Sequence, residues 1–198
     1  MRPNGIELYR PTASRFGDIL TPTGLPSKQA KQYLDQIIKW SLHGDADEVK
    51  FSSYWTERGK YLESKAIEEY ERKKGYKVEK QPFIFNKKYR CGCYPDGKGL
   101  VYIEVKCLKK ENHFDIVKHG IPLKFKPQIQ GTMLITGENT LDFISYFPGE
   151  EIYIERVNKE ESYSEKLVDE LYKFNIALEA EYLRLSGSVK LINGKELF

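Results

Sequence analysis

The chain carries only three cysteines, three histidines and two methionines in 198 residues. No apolar run is long enough to cross a bilayer. Each scarcity removes a class of protein. Cys91, Cys93 and Cys107 do not make a disulfide framework. Cys91-x-Cys93 also lacks the two-residue spacing and the fourth ligand of a zinc or iron–sulfur site. The pair reads instead as small apolar residues on one face of a strand. His43, His113 and His119 show no i, i+4 pairing and read as loop or surface residues. Met1-Arg2-Pro3-Asn4-Gly5 contains nothing like the apolar segment of a secretory signal, so the expected setting is a reducing cytoplasm. There is no internal repeat and no low-complexity stretch. One sign of charge does not dominate either: the net charge of +3 is too small to mark a nucleic-acid binder by itself.

The distribution of charge says more than its sum. Arg72, Lys73, Lys74, Lys77, Lys80, Lys87, Lys88 and Arg90 face a single acid, Glu79, between residues 72 and 90. Residues 150–170 hold eight acids against three bases. A basic segment beside an acidic one is expected where one face meets a polyanion, and equally where two solvated faces differ in sign.

Apolar periodicity sets the order of elements. A short helix is expected within 11–21, capped by Thr12 or Ser14, with Phe16, Ile19 and Leu20 inward. A second starts at Ser27 and buries Tyr33, Leu34, Ile37, Ile38 and Trp40. Gly44-Asp45-Ala46-Asp47 reads as a loop. A long helix over 53–74 buries Trp55, Tyr61, Leu62, Ala66, Ile67 and Tyr70, and Gly59 on it suggests a close backbone approach. Strands are expected over 76–80, 83–93 and 100–108, then a helix, or a helix passing into strand, over 126–135, and strands over 141–147 and 152–157. A final helix, capped by Ser162 or Ser164, runs over 162–185. The pattern predicts one α/β domain over 1–198 with a mixed sheet: N-terminal helices in 11–74, a sheet core in 76–157 and a C-terminal helix in 162–185.

The most informative stretch is Cys93-Tyr94-Pro95-Asp96-Gly97, followed by Ile103-Glu104-Val105-Lys106-Cys107. Side chains alternate along a strand, so Glu104 and Lys106 share one face and Val105 points to the other. Asp96 lies across the Gly97-Lys98-Gly99 turn and can meet that face from the neighbouring strand. Two hard carboxylates suit Mg²⁺ or Mn²⁺, and a lysine beside them can orient or deprotonate a water. This is minimal equipment for metal-assisted phosphodiester hydrolysis. Plainer readings stay open at this point. Pro-Asp-Gly is a common turn, and Glu104 with Lys106 can be a cross-strand ion pair. Glu63, at the edge of the apolar stripe of the long helix, is a candidate third carboxylate or a surface glutamate paired with Lys60 or Lys65.

Five ordered pieces carry a family resemblance over residues 12 to about 147. They are Thr12-Ala13-Ser14-Arg15-Phe16-Gly17, Arg58-Gly59-Lys60-Tyr61-Leu62-Glu63, the Pro-Asp segment, the Glu-Val-Lys segment, and Pro127-Gln128-Ile129-Gln130-Gly131-Thr132-Met133. Together they resemble the lambda-exonuclease, YqaJ-type viral recombinase family within the PD-(D/E)xK nuclease superfamily. The resemblance implies a restriction-endonuclease-like core with flanking helices. It implies a phage-type exonuclease, 5′-to-3′ on linear double-stranded DNA, acting in a host cytoplasm and feeding a single-strand annealing protein. By the same resemblance, Asp96, Glu104 and the Val105 carbonyl hold one or two Mg²⁺ or Mn²⁺ ions. Lys106 positions the attacking water, and Glu63 helps hold a second metal or its waters. Gln128, with Gln130 as second choice, orients the site or contacts the DNA backbone. Ser14 and Arg15, with Arg10, bind a 5′-phosphate. The family's ring of subunits, often a trimer, is a further implication. Two positions depart from the pattern: Glu7 stands near where a basic residue is common, and Pro127 where an aromatic is.

Overall fold

Tyr102 to Cys107 form the strand on which the architecture turns, and it is buried on both faces. In the computed structural model, which describes residues 8–43 and 54–186, this strand is β4 (Tyr102–Cys107). It lies inside a four-stranded mixed sheet of order β3-β4-β5-β6, with β3 at Gly97–Lys98, β5 at Thr140–Tyr146 and β6 at Tyr153–Asn158. β4 and β5 are parallel and the two outer pairings are antiparallel. A parallel pair requires a crossover, here made of α3 (Lys110–His119) and α4 (Lys126–Thr136).

Alternation along β4 divides the core into layers. Ile103 and Val105 pack with Ala66 and Tyr70 of α2 (Tyr54–Lys74). Tyr102 packs on the opposite side with Ile116, Ile129 and Met133 of α3 and α4. A third cluster joins α1 (Ala30–His43), α5 (Glu161–Leu185) and a 3-10 turn at Ala13–Asp18. It also takes in Cys91 and Cys93 of β2 (Cys91–Cys93), which pairs with β1 (Ile84–Asn86) as a separate hairpin.

Several expectations change. The segment 76–80 makes only a single bridge, Glu79 to Lys98. The Glu71 carboxylate takes the Val78 N–H at 2.8 Å, and that donor is lost to any ladder. The strand expected over 83–93 is folded into the β1–β2 hairpin. Arg90 adopts φ 50°, and Asn86 Oδ1 accepts from Tyr89 N at 3.2 Å to close the turn. Helix α3 has only His113 and Ile116 buried, too thin a stripe to read from periodicity. His113 is therefore not a surface residue: its ring is fully buried between Ser145 Oγ at 2.9 Å and the Glu151 carbonyl at 3.1 Å. Tyr61 faces solvent, while Leu62, Ala66 and Tyr70, spaced by four, carry the buried stripe of α2. Among the described residues, nothing approaches within 4 Å of a Cβ placed at Gly59. Glu160, not a serine, occupies the N-cap of α5, and Thr12 caps the 3-10 turn without a side-chain bond. The Gly44–Asp47 loop and the Trp55 side chain lie outside the described residues.

Asp142 on β5 shows how the sheet tolerates an interior charge. It is fully buried and is held by Arg156, by Tyr70 Oη at 2.7 Å and by Lys74 at 3.6 Å. These partners hold its carboxyl below the usual range despite burial.

The 3-10 turn is locked to α4 by a glycine contact. A Cβ on Gly131 would stand 2.3 Å from Cδ2 of Phe16, whose ring is fully buried, and Gly17 faces Pro127. Gly131→Ala gains helix propensity of about 1 kcal/mol. Overpacking a closed contact costs about 1–3 kcal/mol. Because the Phe16 ring has no space to retreat, the substitution is expected to cost about 1 kcal/mol net of stability, read as a lower urea midpoint. A midpoint equal to or above wild type would show that the ring yields.

Candidate active site

The site is assembled at β4 from three directions. Antiparallel pairing of β3 with β4 sets Gly97 opposite Ile103, which brings the preceding Asp96 to the strand. Asp96 Oδ2 then accepts the backbone N–H of Val105 at 2.7 Å. Pro95 fixes the approach of the chain, and a Cβ at Gly97 would strike Val78 at 2.3 Å, so the tight entry depends on glycine there. From the opposite strand face, α4 delivers Gln128. Its Nε2 donates to Glu104 Oε1 at 2.6 Å, and its Oε1 accepts from Lys106 Nζ at 3.1 Å. Lys106 Nζ also donates to Glu104 Oε1 at 2.5 Å. Glu104, Lys106 and Gln128 thus form a closed triangle with Asp96 on its border.

Electrostatics mark this as a place where charge is held against its preference. Glu104 is 2% exposed, and desolvation pushes its carboxyl up to about 7. Lys106 opposes that shift, while Asp96 and Glu63 add to it by repulsion. Asp96 is likewise raised, chiefly by burial, against the pull of the Val105 N–H and Lys106. The thiol of Cys93 is pushed up to about 12 by burial and by the nearby Glu104 charge.

The expected residues separate into groups. Asp96, Glu104, Lys106 and Gln128 are brought together, and the Val105 peptide lies among them. Glu63 is near enough to raise Glu104, yet among the described residues no three His, Cys, Asp or Glu side chains share one ion's reach. What it exerts on Glu104 is charge. Gln130 does not face the site. It is buried, donates to the Asn158 carbonyl at 3.0 Å and accepts from Glu160 N at 2.8 Å, tying α4 to the β6–α5 junction. Arg10 is also spent elsewhere: Glu179 at 2.6 Å and Asn175 at 3.1 Å hold its guanidinium, leaving its side chain 8% exposed. Both corrections have one cause, since a buried donor or charge is satisfied by whatever the tertiary fold sets beside it.

Ser14 is exposed on the 3-10 turn, with its Oγ 3.2 Å from Thr12 Oγ1. Arg15 bonds Asp18 at 2.5 Å and Gln36 at 3.1 Å, and lies 4.5 Å over the Tyr33 ring. Through the Gly17–Pro127 contact this turn abuts the residue next to Gln128. The basic run 72–90 is narrower than its sequence suggests. Arg72, Lys73, Lys74, Lys77 and Arg90 engage acids, while Lys80, Lys87 and Lys88 stand exposed. Sequence reasoning missed Phe125, whose ring lies 5.4 Å from Lys106 Nζ and 5.0 Å from Lys124 Nζ. The only signal was its place between two lysines ahead of Pro127.

The donor set fits a hard divalent cation. Two buried carboxylates that repel one another share a single lysine, and a peptide carbonyl beside them is the oxygen donor such ions accept. Asp96, Glu104 and the Val105 carbonyl are the residues that would hold it.

Comparison with known proteins agrees with the fold. The YqaJ-like viral recombinase domain family matches residues 1–139. The structure is similar to that of LHK-Exo in complex with dAMP, at 26% identity and a TM-score of 0.79, covering 93% of this chain and 96% of that one. It is similar also to the alkaline exonuclease LHK-Exo from Laribacter hongkongensis, at 25% identity and a TM-score of 0.77, covering 92% and 93%. A phage related exonuclease from Haemophilus somnus 129PT, at 16% identity and a TM-score of 0.60 over 88% and 96%, shares the fold. No match stands among the curated proteins compared.

The buried carboxylate has a stability signature. The folded-state pKa of Glu104 is raised, so the folded protein binds its proton more tightly than the unfolded chain does. Without metal, stability falls as pH rises from about 4.5 to about 7 and stays low above. Glu104→Gln removes that contribution. With chelator present at pH 8, the variant is expected to be more stable than wild type by roughly 2–3 kcal/mol. Thermal unfolding followed across pH 5–8 checks this; a less stable variant at pH 8 would mean the ionised carboxylate is well solvated or fully paired.

Proposed function

The chain belongs to the YqaJ-like viral recombinase domain family and is a phage-type nuclease, and we propose that it degrades linear double-stranded DNA from an end, 5′ to 3′, using divalent metal. The observation that carries this reading is the convergence of Asp96, Glu104, Lys106 and Gln128 on one strand face. In this reading the chain is one nuclease domain over 1–198. Its strand product feeds a single-strand annealing protein, and its assembly is a homo-oligomer, a trimer by resemblance.

Each side chain has a definable task. Mg²⁺ or Mn²⁺, as one or two ions held by Asp96, Glu104 and the Val105 carbonyl, supplies when bound an acidified water and charge neutralisation at the leaving oxygen. Gln128 and Lys106 both bond Glu104 Oε1 and fix the rotamer of that carboxylate. Lys106 also presents its ammonium where the attacking water and the phosphoryl oxygens must sit, so it orients one and offsets charge on the others. The Val105 N–H restrains Asp96. Glu63 adds negative charge at the outer side of the site. Ser14 and Arg15, on the turn packed against Pro127, take the terminal phosphate; Arg10 keeps the structural role described above. Exposed Lys80, Lys87, Lys88 and Lys124 supply phosphate contacts, so binding weakens steeply with salt.

Two experiments test this. Asp96→Ala and Glu104→Ala are expected to abolish digestion of an end-labelled linear duplex in Mg²⁺, and Lys106→Ala to slow it by about 10²–10⁴-fold. Covalently closed circles remain intact throughout. Wild-type rates in the alanine variants, or efficient cutting of circles, would contradict the assignment. Separately, Arg15→Ala is expected to lose most of any preference for 5′-phosphorylated over 5′-hydroxyl ends while retaining metal-dependent cleavage. Equal losses on both ends would return Arg15 to supporting Tyr33 and Gln36.

A further inference from the structure

The outward face of the β1–β2 hairpin is aromatic, and it leads directly into Asp96. In the register of the hairpin Phe85 lies opposite Gly92 and Ile84 opposite Cys93. Strand alternation therefore places Phe83, Phe85, Gly92 and Tyr94 on one face, and Ile84, Asn86, Cys91 and Cys93 on the other. The second set joins or borders the core, and the first faces out. Phe83 and Tyr94 rings lie 4.6 Å apart, and Phe83 and Phe85 6.5 Å apart. Gly92 is the floor of this array. A Cβ there would stand 2.1 Å from Phe83 Cζ, so only glycine lets the Phe83 ring lie down on the strand.

Tyr94 is the outermost member, 62% exposed. It stands directly before buried Pro95 and the half-buried Asp96. Two residues of extended chain span at most about 7 Å, so the Tyr94 backbone stands within about two base steps of the Asp96 backbone. The hairpin turn adds exposed Lys87 and Lys88, and Lys80 precedes the first strand. Aromatic faces flanked by cations are how single nucleic-acid strands are held, because every base has a π face and every step a phosphate.

We propose that Tyr94, backed by Phe83 on the Gly92 floor, is a nucleobase-stacking subsite that receives the terminal base of a DNA end beside Asp96. The proposal rests on the nuclease reading. It adds a contact to a base where every contact assigned so far is to phosphate or metal. Holding the terminal base on Tyr94 competes with its pairing and directs the strand toward Asp96. The ring reads no edge of the base, so the subsite accepts all four.

The test uses the full chain and a short blunt duplex whose terminal base is 2-aminopurine, with chelator present so that nothing is cut. Wild type is expected to quench the fluorescence of that base. Tyr94→Phe retains the quench, and Tyr94→Ala and Tyr94→Leu lose it; the leucine variant keeps an apolar cover over Phe83 if alanine disturbs the hairpin. Affinity for the duplex end falls about tenfold in both, the size of one stacking contact. On a duplex with an abasic terminal nucleotide, the variants and wild type bind alike, since no base remains to stack. Retained quench in Tyr94→Leu, or an equal loss of affinity on the abasic end, would overturn the proposal. Its failure is distinct from failure of the nuclease reading, which is judged by wild-type digestion of linear duplex when Mg²⁺ is added.

Discussion

Placing an ionisable carboxylate inside a doubly covered parallel strand is the constraint from which the rest of this molecule follows. Glu104 sits on β4, between the layer of α2 and that of α3 and α4, at 2% exposure. An unpaired charge there is not tolerated, and the surrounding groups answer it one by one. Lys106 supplies the opposite charge from the same strand face, and Gln128 an amide donor from α4. Neither restores an ordinary carboxyl, since Asp96 and Glu63 add like charge. The fold thus keeps a buried carboxyl raised toward neutral pH, a state that costs stability and clusters at sites built for chemistry. Asp142 is the contrast. It is equally buried, but Arg156, Tyr70 and Lys74 satisfy it completely, and its carboxyl is lowered rather than raised.

The crossover that parallel pairing demands is also what completes the site. Without α4 returning over β4, Gln128 has no route to Glu104. The position of α4 is set from two sides. Phe16 against Gly131, with Gly17 against Pro127, joins it to the 3-10 turn that carries Ser14 and Arg15. Gln130 joins it to Asn158 and Glu160. Two glutamines of one helix thereby turn to different partners, Gln128 to Glu104 and Lys106 and Gln130 to the β6–α5 junction. The turn that carries Ser14 and Arg15 therefore packs on the helix that carries Gln128.

Much of this was legible in the residues because period and spacing are local. Alternation in Ile103-Glu104-Val105-Lys106 placed both charges on one face, and Leu62, Ala66 and Tyr70 placed the edge of α2 where Glu63 stands. The α/β order and the mixed sheet followed from the same periods. What was not legible depended on partners distant in sequence. His113 looked like a surface residue because its acceptors and donors, Ser145 and the Glu151 carbonyl, come from other elements. Arg10 looked free because Glu179 lies on α5. The β1–β2 hairpin was hidden because its turn relies on a side-chain bond from Asn86 and a left-handed arginine, not on glycine or proline. The choice between Gln128 and Gln130 needed the true register of α4, which its first turn at Lys126–Pro127 sets.

The central claim is that Asp96 and Glu104, two raised carboxylates sharing one lysine, are held for a divalent cation. Calorimetric titration of Mn²⁺ into wild type and Glu104→Gln at pH 7, repeated in buffers of different ionisation enthalpy, tests it most directly. With the Glu104 carboxyl near 7, wild type is expected to bind the ion and release about half a proton from that residue as it does so. The variant is expected to lose that proton release and most of the affinity. Binding of equal strength in both proteins, with no proton released by either, would contradict the account.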